Sequence, residues 1–289
     1  MVAVAVAAAL WAVAANVASA LFEVGVDPIH LAEARAIVAA AGIVFIPGAW
    51  TRSRGETPLG ALVALGLSIA LVNAAYYLAI DRLAVAVAIV LQYTAPAMVV
   101  AWTAVASRRR PSPQILATLG LAVAGVVMVS GLVTQGVGRI DAFGVLMGIA
   151  SAVLFATYTL LSEKTSATYG PIGAMSRAFV VASVAWLIFQ IPRGWPPGLL
   201  EGTNEWGVLY VGIAGTLAPF LLFVWGIGRI QAERAAIAAT LEPVLAGLIA
   251  FAFLGQSLTP AQIAGGVLVM VAVVALQARR REPLIAAEP

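Results

Sequence analysis

Residues 80–96 read IDRLAVAVAIVLQYTAP, and residues 227–243 read IGRIQAERAAIAATLEP. Arg82 in the first stands against Arg229 in the second, and Pro96 stands against Pro243. Pro113 in PSPQ and Pro260 in LTPA extend the match at the same spacing of 147 residues, with no gap. Earlier in the chain, Pro28 with Arg35 resembles Pro171 with Arg177 at a smaller spacing. The pattern predicts two related units, 1–137 and 141–281, and a tail, 282–289. Chance similarity between Ala/Val-rich stretches is the competing explanation. Prolines and arginines matched at one fixed offset weigh against it.

The composition says what solvent these units inhabit. Hydrophobic residues make up 62% of the chain and charged residues 10%, against about 45–50% and about 25% in globular domains. That is a membrane protein with almost no part outside the bilayer. There is no cysteine and one histidine, His30, so thiol chemistry is excluded and a histidine-built metal site is not expected. The net charge of +3 comes from basic residues in short segments between apolar runs, which is not a nucleic-acid signature.

A membrane-spanning helix needs about 20 mostly apolar residues. Ten such runs are expected: 2–22, 29–50, 58–80, 83–107, 113–134, 142–163, 171–192, 205–227, 231–255 and 260–279. The first lacks a basic flank and is too long for a signal-peptide core, so it reads as a retained helix. The runs are continuous rather than alternating, which rejects a β-barrel. With the N-terminus inside, eleven basic residues (Arg52, Arg54, Arg108 to Arg110, Lys164, Arg229, Arg234 and Arg279 to Arg281) fall on the cytoplasmic side. Three (Arg82, Arg139 and Arg193) fall outside. That bias places both termini in the cytoplasm of a plasma-membrane protein. Trp50, Trp195 and Trp206 sit near run ends, as an aromatic belt requires. Five helices per unit is an odd number, so the second unit enters the bilayer from the opposite side. Such inverted repeats are a transporter plan, with the substrate site near mid-membrane at the repeat interface.

The stretch LEPVLAGLIAFAFLGQSLTPAQIAGGVLVMVAVV (241–274) resembles the C-terminal signature of EamA-type carriers of the drug/metabolite transporter superfamily. LQYTAPAMVVAWTAVASRRRPSPQILATLGLAVAGVVMVSG, from residue 91, resembles a degraded copy of it. Within that superfamily the chain is most similar to YddG-type amino-acid exporters. It departs from the pattern at Gln256, where the family often carries an acid and whose first-half counterpart is Ser107 or Arg108. It departs again at Trp11-Ala12, where the family has Trp-Gly. The resemblance implies a basket of helices around a central cavity open to one side at a time, lined by helices 1, 3, 4, 6, 8 and 9. Helices 5 and 10 would pack peripherally and could support a dimer, so the expected state is a monomer or homodimer.

Glu242 is the first candidate site residue. A carboxylate at mid-helix costs about 2.5–3.5 kcal/mol on insertion scales, so it is expected to face a cavity or a partner. It would bind a substrate ammonium, carry a proton, or hold the helix break structurally. Pro243, and Pro96 in the other unit, remove a backbone donor and are candidate hinges. Asn16, Asn73, Tyr77, Gln92, Tyr93, Tyr158 and Phe220 are the candidate substrate-binding residues. They lie on polar-aromatic stripes, with Ser19, Tyr76, Ser151, Phe155, Ser162, Thr216 and Phe223 alongside, and polar faces should turn away from lipid. Any one of them could equally be interhelical glue. Arg35 and Arg177 are expected to snorkel to an interface or to pair with an acid such as Glu33, a substrate carboxylate being the lesser expectation. Gly144, Gly148, Ala152 and Ala156 permit close helix approach.

These features predict a secondary carrier exporting amino acids, aromatic or otherwise hydrophobic, or related metabolites, by alternating access and without a cofactor. A multidrug or other metabolite carrier is the alternative, and a channel or a membrane-embedded enzyme fits less well. No GxxxxGK[ST] motif is present to bind ATP. No Ser/His pair or paired aspartates lie within the apolar runs. The partners expected are a small-molecule substrate and lipid, with no nucleic acid.

Overall fold

The computed structural model describes residues 1–50, 58–83, 85–136, 141–193, 204–253 and 257–278, and among these every regular element is a helix. Arg52, Arg54, Arg139, Trp195, Gln256, Arg279 to Arg281, the tail and the side chain of Ser19 lie outside the described residues.

Helix α1 (Val2–Glu23) turns at Gly25 into α2 (Pro28–Ile43). The Asp27 carboxylate caps α2 by accepting from the backbone N–H groups of Ile29 and His30, and Pro28 occupies the first turn, where its missing N–H costs nothing. The apolar run predicted to 50 stops being helical at Ile43. Pro47 cannot donate to the Ile43 carbonyl, and Gly48 adopts a left-handed φ of 87°. Helix α3 (Leu59–Arg82) follows.

Next comes a helix broken near its middle, α4 (Val85–Gln92) and α5 (Ala95–Ser107). Pro96 withholds the donor that would continue the ladder, and the Thr94 hydroxyl donates to the Leu91 carbonyl at 2.7 Å. Helix α6 (Pro113–Val129) is capped by Ser112, and a short α7 (Leu132–Gln135) follows Gly131.

Helix α8 (Ala142–Gln190) runs 49 residues with one non-helical residue, Gly170, at φ 72° and ψ 165°. The predicted loop around 164–170 is therefore helical up to Tyr169. Nothing in KTSATY breaks a helix; Gly170-Pro171 does. Helix α9 (Asn204–Gly212) passes through a π-helical turn, Ile213–Leu217, into α10 (Ala218–Ile230). A second broken pair, α11 (Ala232–Ala239) and α12 (Leu241–Phe253), meets at Thr240, and α13 (Pro260–Ala278) is the last helix described.

Element boundaries echo the sequence repeat. α4 and α11 begin at Val85 and Ala232 and end at Gln92 and Ala239; α6 and α13 begin at Pro113 and Pro260. Each pair is 147 residues apart.

Among the described residues six helical stretches are long and apolar enough to cross a membrane, among them Ala142–Gln190, and α6 and α13 are shorter apolar helices. At 1.5 Å per residue the two arms of α8, 142–169 and 171–190, are roughly 40 and 30 Å long, each enough to cross the hydrocarbon layer. Large apolar side chains point outward along these helices, for example Leu146, Ile188, Ile263, Val267 and Val274, as a lipid-facing surface requires. Trp50 and Trp206 are exposed too.

Helix α3 packs along both arms of α8. A Cβ at Gly66 would lie 2.4 Å from Val181 Cβ, and one at Gly144 would lie 2.7 Å from Leu83 Cγ. Gly148 fits against Leu91 in the same way. α6 and α13 pack on each other through Gly125 and Gly265.

Candidate functional site

The predicted polar-aromatic stripes converge in the middle of the bundle. Their cavity is small, about 60 Å³. α1 contributes Trp11, Ala14 and Ala15, α2 contributes Arg35, and α3 contributes Val72, Asn73, Tyr76 and Tyr77. Gln92 comes from α4, Phe155 and Tyr158 from α8, Phe220 from α10 and Glu242 from α12. Residues from both halves of the chain therefore line one cavity.

Glu242 lies in the first turn after the break at Thr240. Pro243 leaves the Ala239 carbonyl without its helical donor. The Tyr93 hydroxyl fills the gap: it donates to Glu242 Oε2 at 2.8 Å and lies 3.4 Å from the Ala239 carbonyl oxygen. Tyr93 itself sits at the matching break between α4 and α5. The two breaks thus meet across the bundle through one phenol and one carboxylate.

The aromatic walls interlock. Trp11 meets Phe220 edge to face at 5.4 Å, and Phe155 meets Tyr158 at 5.0 Å. The Tyr158 hydroxyl is buried and has no hydrogen-bond partner among the described residues.

Arg35 is the residue that sequence reasoning misplaced. It does not snorkel and does not pair with Glu33. It is 5% exposed and gives four hydrogen bonds: Nε to Thr216 Oγ1 at 2.7 Å, Nη1 to Asn73 Oδ1 at 2.9 Å and Tyr77 Oη at 3.0 Å, and Nη2 to the Gly215 carbonyl at 2.7 Å. Its acceptors lie 38 to 181 residues away in the chain, which is why the local pattern did not reveal them. An arginine inside an apolar run was the available signal. Glu33 is fully buried, and neither carboxylate oxygen has a partner among the described residues.

Other candidates lie elsewhere. Asn16 donates to the Ala12 carbonyl of its own helix at 2.8 Å and is not part of the lining. Arg177 donates to the Gly173 carbonyl and stacks over Tyr169, away from the cavity. Ser151 and Ser162 are buried outside the lining, and Phe223 packs in the aromatic cluster.

Two further recesses frame the site. One of about 300 Å³ lies where α5, α8 and α11 meet, bordered by Arg109, Arg110, Arg234, Glu163 and Glu233. Along α11, Ala235, Ala236, Ala238 and Ala239 separate it from Glu242, each at 0–1% exposure. The other, about 570 Å³, is a groove between α12, α13 and α6 whose lining is apolar apart from Gln262. It lies on the outward surface and offers a polar substrate almost nothing to bind.

Comparison with known proteins accords with this architecture. The model of the EamA-like transporter family matches residues 1–131 and 142–277. An uncharacterized transporter of Archaeoglobus fulgidus is 28% identical over 72% of this chain and 74% of its own. The threonine/homoserine exporter RhtA of Escherichia coli is 27% identical over 70% of this chain and 65% of its own. The uncharacterized transporter YwfM of Bacillus subtilis is 32% identical, but the aligned region spans about half of each chain, 50% of this one and 48% of that one. A solved crystal structure superposes with a TM-score of 0.77 over 98% of both chains at 19% identity, a likeness of fold. Matched along both halves and built from apolar helices around a buried cavity, this multi-pass membrane transporter, which is no enzyme, belongs to the EamA-like transporter family.

Proposed function

We propose that the chain is a secondary carrier that exports amino acids by alternating access, binding the substrate ammonium at Glu242. The observation that carries this reading is the Glu242 carboxylate on the wall of a buried cavity, held by a neutral phenol rather than by a cation. Such a group suits a compact ammonium, and Gln92, Asn73 and Tyr158 beside it suit the polar parts of a small metabolite. The similarity to a threonine/homoserine exporter supports the substrate class. Ligand pockets generally measure 300–1,000 Å³, so the conformation described is contracted and has to widen around its cargo. The breaks before Pro96 and Pro243 are the hinges in this reading.

Radiolabelled counterflow in proteoliposomes tests it. Preloaded threonine, homoserine, phenylalanine or leucine is expected to drive exchange. Counterflow of a cationic dye with no response to any amino acid would overturn the reading in favour of a multidrug carrier.

The same proposal includes ten crossings in two inverted five-helix units, 1–137 and 141–281, with both termini in the cytoplasm. The boundaries repeated at 147 residues and the two matched segments support it. Because the chain has no cysteine, single reporters are clean. Asp81→Cys is expected to react with an impermeant maleimide in intact cells, and Gly228→Cys only after lysis. Equal labelling of both would remove the inversion.

A further inference from the structure

A guanidinium buried in a bilayer protein normally meets a carboxylate, because burial of an uncompensated charge is costly. Among the described residues Arg35 meets none: the four acceptors it reaches are neutral. Glu242 lines the same cavity, yet among the described residues no ion pair joins the two. The cavity therefore holds one cation and one anion on separate walls, each occupied by neutral stand-ins.

The stand-ins on Arg35 are produced by a local defect in the α9–α10 stretch. Pro219 has no N–H to return to the carbonyl four residues earlier, which is that of Gly215. The π turn shifts the register further, so that the Thr216 hydroxyl donates to the Val211 carbonyl, five residues back, at 2.7 Å. Both displaced groups, the Gly215 carbonyl and the Thr216 hydroxyl oxygen, turn onto Arg35. π turns of this kind concentrate at functional sites.

We infer that Arg35 is the carboxylate anchor of the substrate site. A substrate α-carboxylate displaces the Gly215 and Thr216 oxygens from the guanidinium while the α-ammonium engages Glu242. The site thereby selects molecules that carry both charges. The inference rests on the amino-acid reading given above and adds the group that tells an amino acid from an amine. Carboxylate binds a guanidinium with two charge-assisted hydrogen bonds, stronger than the neutral ones it replaces. Because Arg35 leaves the π turn when it takes cargo, occupancy is tied to the shape of that bend.

The test is counterflow competition with three probes on reconstituted full-length protein: threonine, its decarboxylated amine 1-amino-2-propanol, and lactate. In the wild type, threonine is expected to compete about tenfold or more better than either. In Arg35→Gln the preference for threonine over the amine is expected to vanish. Thr216→Val keeps Arg35 and removes one competing acceptor, so it is expected to lower the half-saturating threonine concentration several-fold. A purely structural role for these bonds predicts the opposite change, and this second variant decides if Arg35→Gln does not fold. A folded Arg35→Gln protein that still prefers threonine, or weaker threonine binding in Thr216→Val, overturns the anchor. Equal wild-type exchange of threonine and the amine overturns the anchor but leaves the ammonium reading intact. Equal exchange of threonine and lactate leaves the anchor and overturns the ammonium reading. Exchange of none of the three overturns both.

Discussion

Glu242→Gln is expected to lower amino-acid exchange by about 10- to 100-fold while the protein stays folded. A hydrogen bond to a charged group contributes about 1.5–3 kcal/mol, and each 1.4 kcal/mol is a factor of ten. The amide is isosteric and still accepts from the Tyr93 hydroxyl, so the contact between the two helix breaks survives. What disappears is the negative charge facing the cavity. A monodisperse gel-filtration peak in detergent checks folding, and proteoliposome counterflow checks function. Tyr93→Phe is the companion: it leaves the carboxylate and removes the hydroxyl that donates to it at 2.8 Å and lies beside the Ala239 carbonyl, so a smaller, few-fold loss is expected. If exchange persists in Glu242→Gln but accumulation driven by a pH gradient is lost, the residue carries a proton and not the substrate. If both persist, its role is structural.

Gly265→Ala is expected to destabilise the protein by about 1–3 kcal/mol, the usual cost of overpacking. A Cβ there would lie 2.6 Å from Met128 Cβ, 2.7 Å from the Gly125 carbonyl oxygen and 2.8 Å from the Val129 nitrogen. Two of those atoms are backbone, so no rotamer change relieves the clash and α6 must move off α13. The partner helix α6 supplies a control of opposite sign. Nothing lies within 4 Å of a Cβ at Gly120, and alanine is the better helix former by about 0.8–1 kcal/mol. Thermal unfolding followed by gel filtration should therefore show a lower midpoint for Gly265→Ala and an unchanged or higher one for Gly120→Ala. The reverse order would mean that the α6–α13 contact is looser than its geometry.

The helices were legible because bilayer-length apolar runs leave little choice of structure, and the breaks near 94 and 240 because proline announces them. The converging stripes were legible for Asn73, Tyr77, Gln92, Tyr158, Phe220 and Glu242, whose spacing put them on shared faces. Asn16 shows the limit of that logic: a polar side chain in an apolar helix can satisfy itself on the carbonyl one turn back and need no partner. Arg35 shows another. Its partners come from α3 and the π turn, and no local pattern encodes a meeting of three distant segments. The π turn itself was foreshadowed only by Pro219, whose effect on Gly215 became visible once something was seen to claim the freed carbonyl.

The joint at Gly170 has a mechanical corollary. One arm of α8, residues 142–169, carries Phe155 and Tyr158 and, through Glu163, holds the first N–H of α11 at 3.2 Å. The other arm, 171–190, is fastened to α2, the helix of Arg35, by Ser183 on the Ala36 carbonyl and to the turn beyond it by Ser176 on that of Ala49. Between the arms lie only the torsions of a single glycine next to a rigid ring. A tilt of one arm against the other is taken up in those torsions without unwinding either helix, so the two walls of the chamber shift as separate rigid pieces about one pivot.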